Sequence, residues 1–158
     1  MSTTHPSEFD AEAIRLIAEI GFIGARTGQT AAARALFQSL MVLRPESTMP
    51  VIGLAMSELG AENPEDAARI LRDQGLKQYP GDGELLAFLA LALHLAGHNA
   101  EAAKVLAPVL EGPRDAAEPH VRLASGLIDM INGGPSASRP APRLNGHLAA
   151  HRNPAHCH

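Results

Sequence analysis

The stretch that decides the fold runs from Ile20 to Ala33 and reads I-G-F-I-G-A-R-T-G-Q-T-A-A-A. It begins with an aliphatic residue and a small one, reaches Gly28 seven residues after the small one, and continues into a run of alanines. Small residues inside a helix let a neighbouring helix approach closely, and a glycine at its end can take the left-handed conformation that stops it. The stretch therefore predicts two helices joined by a short turn.

The same layout occurs three times along the chain. Each predicted first helix ends at a glycine, and these are Gly28, Gly60 and Gly97. A small residue stands seven positions earlier, at Gly21, Gly53 and Ala90. An alanine recurs in each second helix after 35 and then 34 residues, at Ala33, Ala68 and Ala102, and prolines close the units at Pro45, Pro80 and Pro113. Self-similarity at this period is typical of an array of helix–turn–helix repeats.

Helical periodicity and boundary residues together predict seven helices. Ser7 is a candidate N-cap of the first, Asn63 followed by Pro64 starts the fourth, and Asp82 opens the fifth. The seventh stops at Asn132-Gly133-Gly134 and is expected to cover the apolar face of the last repeat. The predicted ranges are 8–27, 30–43, 47–59, 64–78, 83–96, 99–111 and 116–131.

These helices form one predicted domain, 8–133, flanked by segments of different character. Its repeats cover about 14–47, 48–80 and 83–115, and the cap helix follows at 116–131. Residues 1–7 and the Pro- and His-rich tail 134–158 lack helical periodicity, so we expect both to be disordered.

Composition excludes several classes of protein. Hydrophobic residues make up 46% and aromatic residues 3%, so the core is expected to be aliphatic. The net charge is −4 and no Lys/Arg cluster exists, which argues against nucleic-acid binding. No apolar run is long enough for membrane insertion, and the N-terminus has no secretory signal pattern. The single cysteine, Cys157, fits a reducing compartment, and a cytoplasmic location is expected.

No motif with catalytic or cofactor chemistry stands out, so we expect neither an enzyme nor a cofactor. His94 and His98 are four residues apart at a helix end, without an evident third metal ligand. The tail contains several further residues of types that bind metal ions, so a metal-handling role is an open alternative. These residues are His147, His151, His156, Cys157 and His158. No preorganised metal site is predicted.

The repeat marks resemble the tetratricopeptide repeat (TPR) family, with coverage of about 14–131. The first repeat has the expected glycine, alanine, aromatic residue and proline at Gly21, Ala33, Phe37 and Pro45, but Ile17 and Gly24 replace the early aromatic residues of the family. The second repeat is the weakest match, with extra residues in its turn and Arg72 at the usual aromatic position. The resemblance implies an all-α, right-handed superhelix of three helix-turn-helix pairs plus a C-terminal capping helix; a divergent helical-pair solenoid is the alternative.

Within that family, the small size and the run from Ile20 to Gln29 followed by Ala33 are similar to the TPR chaperones of bacterial type III secretion. That resemblance implies a cytoplasmic chaperone, associated with bacterial virulence, that keeps a translocator or needle-type subunit soluble before export. The partner would be a hydrophobic or amphipathic segment of a secretion substrate or apparatus component. A generic TPR scaffold for assembly is the alternative, and either a homodimer or a heterodimer fits it.

In the TPR frame, first helices line a concave groove that binds the partner. The residues that this frame assigns to the groove are mostly apolar, with few charges, and they lack the Lys and Asn set of a carboxylate clamp. For Phe22, Leu54 and Leu91, simple packing in the core is the competing interpretation. The candidate groove residues are Arg15, Phe22, Arg26, Leu54, Glu58, Ala87, Leu91 and His94.

Overall fold

A computed structural model of the chain describes residues 6–112 and 118–133, with side chains from residue 11 onward. Within these ranges every regular element is a helix, which confirms the predicted all-α class. The fourth helix, α4, continues without a break into a π-helical segment, Leu71–Leu76. The helices are α1 (Pro6–Arg26), α2 (Thr30–Leu43), α3 (Met49–Gly60), α4 (Pro64–Ile70), α5 (Gly83–Leu95), α6 (Asn99–Glu111) and α7 (Pro119–Ile131).

The helices pack in chain order as three pairs and a final helix. α1 packs against α2, α3 against α4, and α5 against α6, while α7 lies across both members of the last pair. Neighbouring pairs are joined because α2 also packs on α3, and α4 with its π-helical segment packs on α5. The predicted arrangement of three helix–turn–helix pairs and a capping helix is confirmed. Direct contact between α3 and α5 is slight, so the divergent second repeat joins the third through its second helix.

Phe37 lies at the centre of the first two repeats and is fully buried. A Cβ atom added at Gly21 would come within 2.8 Å of its ring, and one added at Gly53 within 2.1 Å. The small residues of the repeat pattern therefore make room for this ring, which also contacts Phe22 edge-on with 4.9 Å between centroids. Elsewhere the core is aliphatic, as the composition predicts, and the other large side chains with almost no exposure include Leu40, Leu71, Leu85, Leu93, Leu106 and Leu127.

The glycines at the ends of the first helices do not all act in the predicted way. Gly28 and Gly97 have φ angles of +80° and +82° and stop α1 and α5 as expected. Gly60 is still helical, and the left-handed residue after α3 is Glu62, with φ +61°. A Cβ atom at Gly60 would lie 2.4 Å from the carbonyl oxygen of Ala25. α3 ends at Gly60 as predicted, but the left-handed conformation predicted for this residue is wrong. Gly60 instead lets α1 and α3 approach closely.

Helix starts follow the predicted residues with two differences. The Asp82 carboxylate accepts a hydrogen bond from the Leu85 N–H at 2.9 Å, so it caps α5 as predicted. Pro64 begins α4, but the side chain of Asn63 does not cap that helix. Because α1 starts at Pro6, Ser7 lies inside the helix and does not precede it. Residues 6 and 7, which were expected to be disordered with the rest of 1–7, belong to α1. Three other predictions fall on residues outside the described ranges: the disorder of 1–5 and 134–158, the unit end at Pro113, and the start of the seventh helix at 116.

Arg72, the residue at the usual aromatic position of the second repeat, is exposed on the surface. Its guanidinium forms an ion pair with Glu101 of α6. The aromatic contact is thus replaced by a polar link between the second helices of two neighbouring repeats. The adjoining Gly75, in the π-helical segment, provides the close approach to α5, since an added Cβ atom would lie 3.0 Å from Leu85.

Candidate protein-binding surface

The first-repeat end of the predicted groove carries two exposed arginines and one half-buried aromatic ring. Arg15 is largely exposed and its Nε donates to Glu19 Oε1 at 3.0 Å, one helical turn away. Arg26 is exposed in the last turn of α1 and has no ion pair among the described residues. Phe22 shares its ring between the contact with Phe37 and the surface. This end therefore offers the positive charge of Arg26 next to a small aromatic patch, while the charge of Arg15 is balanced by Glu19.

The third-repeat end lies on α5 and is more apolar. Leu91 and His94 are half-buried, and Leu95, the last residue of the helix, is 56% exposed. His94 Nδ1 lies 2.7 Å from Asn99 Oδ1, which fixes the ring against the start of α6. Leu95 also lines a shallow cleft together with Leu59, Glu62 and Pro64. This cleft of about 250 Å³ joins the C-terminal ends of α3 and α5.

Three of the predicted groove residues are not available to a partner in this structure. Ala87 has no exposed surface, and Leu54 and Glu58 are 4% and 5% exposed. The Glu58 carboxylate forms an ion pair with Arg34 of α2 at 2.5 Å and accepts a hydrogen bond from Asn63 Nδ2 at 3.4 Å. The assignment of these three to an open contact surface is therefore corrected: their role here is packing, and for Glu58 also ion pairing inside the fold.

Leu54 and Glu58 line a polar cleft between α2 and α4, in place of the expected groove along the first helices. The cleft has a volume of about 340 Å³ and is bordered by charged and amide side chains of the second helices. Hydrogen bonding to Asp66, with Nη2 at 2.7 Å from Oδ1, raises the pKa of Arg69 above its ordinary value. The polar residues around the cleft are Arg34, Gln38, Asn63, Asp66, Arg69 and Gln74.

Three exposed apolar residues of α1 were not among the predicted contacts. Leu16, Ile20 and Ile23 are 57%, 51% and 59% exposed. Their spacing of four and then three residues puts them on one side of the helix, away from the buried Ala18 and Ala25. The spacing was visible in the sequence, but the repeat frame treats these positions as internal. We call these three side chains the outer stripe of α1.

The described residues contain no group of three or more His, Cys, Asp or Glu side chains placed to hold a metal ion. His98 is exposed and the His-rich tail lies outside these residues. None of the described helices combines the length and apolar character that crossing a bilayer requires.

Comparison with known proteins bears on the fold. No protein-family model matches the chain, and no curated protein matches it. Among solved structures, the chain is similar to the type III secretion translocator chaperone SycD of Yersinia enterocolitica, with a TM-score of 0.60 and 18% sequence identity. The match covers 77% of this chain and 85% of that chain. At this identity the likeness establishes a shared architecture of stacked helix pairs, and it confirms the predicted fold class.

Proposed function

We propose that this chain is a protein-binding chaperone or adaptor that holds an apolar or amphipathic segment of its partner. The observation that carries the proposal is the shared architecture with a translocator chaperone over most of both chains. A surface that combines exposed aliphatic side chains with a few positive charges supports it, since such surfaces commonly bind protein segments.

The more specific proposal is a cytoplasmic chaperone of type III secretion that keeps a translocator or needle-type subunit soluble before export. The surface on α5 is aliphatic at Leu91 and Leu95, and apolar burial of this kind is not directional. It therefore suits a partner that presents aliphatic side chains in a helix or an extended segment. Arg26 at the other end, which has no ion pair among the described residues, would favour an acidic residue near one end of the bound segment.

Co-expression with each small secreted subunit of a type III secretion system tests this proposal. We expect one subunit to become soluble and to co-purify with the chain in a fixed ratio after size-exclusion chromatography. If every subunit stays insoluble, or is equally soluble without the chain, the chaperone proposal is wrong.

A substitution on α5 tests where the partner binds. Leu95→Glu places a charge on an exposed apolar contact, and we expect it to weaken partner binding about tenfold, because an apolar partner group would then face a carboxylate. Val42→Glu is the matched control, since Val42 is 81% exposed on α2 and lies outside the proposed surface. Calorimetric titration measures both variants, and circular dichroism checks that their helix content is unchanged. Wild-type affinity in Leu95→Glu would remove the α5 end from the binding surface.

A scaffold that acts mainly through assembly is the second candidate function. The specific observation in its favour is the outer stripe of α1, which leaves three large aliphatic side chains exposed on one helix face. The two functions are compatible, because the outer stripe and the α5 surface lie on different helices.

A further inference from the structure

The exposed end of α5 and the point where the C-terminal tail begins lie at the same end of the array. A Cβ atom added at Gly83, the first residue of α5, would lie 2.9 Å from Nε2 of His120, the second residue of α7. The two helices therefore start side by side, and each is 13 residues long. Both also pack on α6 and on each other, so they run in the same direction and end at about the same level. Leu95, which ends α5, thus lies near Gly133, from which the tail 134–158 continues.

The cleft at this end, lined by Leu59, Glu62, Pro64 and Leu95, presents apolar surface and one negative charge. We call it the α3–α5 cleft. Leu95 is 56% exposed, and Glu62 has the only charged side chain among the described residues that line the cleft. That carboxylate is exposed and forms no ion pair within the described part of the chain. A segment that fits here needs an apolar side chain to cover Leu95 and a positive charge to face Glu62.

The tail has the complementary composition. The sequence before the tail contains ten Lys or Arg and seventeen Asp or Glu residues, whereas the tail contains three arginines and no acidic residue. Within the tail, the segment from Arg143 to Arg152 reads R-L-N-G-H-L-A-A-H-R. Its two leucines, Leu144 and Leu148, stand four residues apart between the two arginines. This segment therefore offers both the apolar side chains and the positive charge that the α3–α5 cleft requires.

The connection between α7 and this segment is long enough for the segment to reach the cleft. Leu144 is eleven residues beyond Gly133, and eleven extended residues span up to about 36 Å. The axes of packed helices such as α5 and α7 are about 8–10 Å apart. A path around α5, whose diameter with side chains is about 10–12 Å, fits within the same length. Docking therefore needs no movement of the described helices.

We propose that the segment Arg143–Arg152 docks in the α3–α5 cleft of its own chain, where its leucines cover Leu95 and an arginine pairs with Glu62. Because the segment is tethered, a small contact area is sufficient to hold it. The docked segment covers the α5 end of the proposed partner-binding surface, so a partner has to displace it. The docking is independent of any partner, whereas this competition rests on the proposed chaperone function.

A spin label on Cys157, the single cysteine, tests the docking in the full-length protein, since this residue is five positions beyond the segment. We expect the label to broaden the NMR amide signals of Glu62 and Leu95 strongly and that of Gly83, at the opposite end of α5, only weakly. The spectrum after reduction of the label with ascorbate is the reference. Equal broadening at the two ends of α5 would overturn the proposal.

A mixed sample shows whether the segment docks on its own chain. It combines spin-labelled copies without ¹⁵N and ¹⁵N-labelled copies without the spin label, so only contacts between copies can broaden a signal. We expect no broadening at Glu62 and Leu95 in this sample. Broadening there would mean that the tail docks on a second copy and that the intramolecular proposal is wrong.

Charge reversal tests the complementarity of the cleft and the tail. We expect Glu62→Lys to reduce the broadening at Leu95 about threefold or more, since an attraction becomes a repulsion. Glu84→Lys is the matched control, because Glu84 is also exposed and lies on the first turn of α5, at the other end. Arg143→Glu with Arg152→Glu should also reduce the broadening, and adding Glu62→Lys to that pair should restore it. No restoration, or an equal loss in Glu84→Lys, would exclude docking in this cleft.

Partner binding separates this inference from the chaperone proposal. We expect the variant with Arg143→Glu and Arg152→Glu to bind the co-purified subunit about threefold more tightly than the wild type, because the competing segment is released. An unchanged affinity in this variant would overturn the competition. If no subunit binds the wild type, the chaperone proposal fails, and the spin-label measurement still decides whether the segment docks.

Discussion

At Gly53, a methyl group in place of the hydrogen would lie 2.1 Å from the ring of Phe37. Phe37 is fully buried and sits between Gly21 and Gly53, so it has little room to move away. Gly126 is also helical, but an added Cβ atom there meets no atom within 4 Å. The two glycines therefore differ in packing, while both carry the entropic cost of glycine in a helix.

We expect Gly53→Ala to destabilise the protein by about 3 kcal/mol and Gly126→Ala to stabilise it by about 0.5–1 kcal/mol. The first change overpacks the core, and the second removes backbone freedom from the unfolded chain without a clash. Urea unfolding measures both, with an unchanged slope as the sign that only stability has changed. Equal effects of the two changes would show that Phe37 can move aside at little cost.

Residue roles that depend on local patterns could be predicted, and those that depend on distant partners could not. The turn glycines Gly28 and Gly97 follow from sequence, since a helix end needs the left-handed conformation there. The function of Gly60 depends on the carbonyl of Ala25 in the preceding pair, which no local pattern reveals. The burial of Glu58 likewise depends on Arg34, which approaches from α2. The exposure of Arg15 and Arg26 was predictable, because charged side chains are almost never fully buried without a partner.

Among the elements, α7 shows a clear division between a core face and an outer face. Leu127 has no exposed surface, whereas Met130, three residues later, is 57% exposed. The helix packs on α5 and α6 and covers the end of the array. Its attachment therefore depends on a short apolar face, so a single charge on that face should undo it.

We expect Leu127→Asp to destabilise the protein by about 3 kcal/mol or more, because a buried carboxylate would have no partner. Met130→Asp should change stability by less than about 0.5 kcal/mol. Thermal unfolding followed by circular dichroism compares the two, and binding of an apolar dye reports whether the α5 surface becomes exposed. If both variants unfold at the wild-type temperature, α7 contributes little to the fold.

Helix boundaries were predictable because glycine, proline and capping residues mark them. α2 and α6 occur within their predicted limits, and α5 begins at Gly83 after its Asp82 cap. The π-helical segment Leu71–Leu76 was not predictable, because its residues continue the helical spacing of α4 without any turn signal. It lies where Gly75 packs closely against Leu85 of α5, a contact between different repeats.

At the scale of the whole molecule, the helices at the centre of the array are more deeply buried than its first helix. Most residues of α3 and about half of those of α5 are buried, and the buried residues lie on more than one side of each helix. α1 leaves its outer stripe in contact with solvent. In an array of this kind each element is stabilised mainly by its immediate neighbours, so stability is expected to fall toward an open end.

Hydrogen exchange of the wild-type protein tests this gradient. The amides of α3 and α5 should exchange slowest, and those of α1 should exchange faster because its helix opens at a lower free energy. Mass spectrometry of peptides from each helix gives the comparison. An exchange rate in α1 as slow as that in α3 would mean that the whole array opens as one unit.

The three-pair architecture was predictable from the repeat period, because each unit repeats the same marks at 35 and 34 residues. Which of the candidate groove residues stay exposed was only partly predictable. Sequence reasoning places first helices along a groove, but the structure turns Leu54 and Glu58 toward α2 and α4. The burial of these two side chains depends on the helices that pack around α3, which is a property of the folded chain.

The cap formed by α7 also determines where the array could be lengthened. A further helix pair needs an apolar surface to stack on. On the outer side of α7, Arg122, Ser125 and Asp129 face solvent, whereas Val121, Ala124 and Leu127 are already buried against the last pair. An added repeat would therefore have to be inserted ahead of α7 in the chain, so that the same capping helix still ends the longer array.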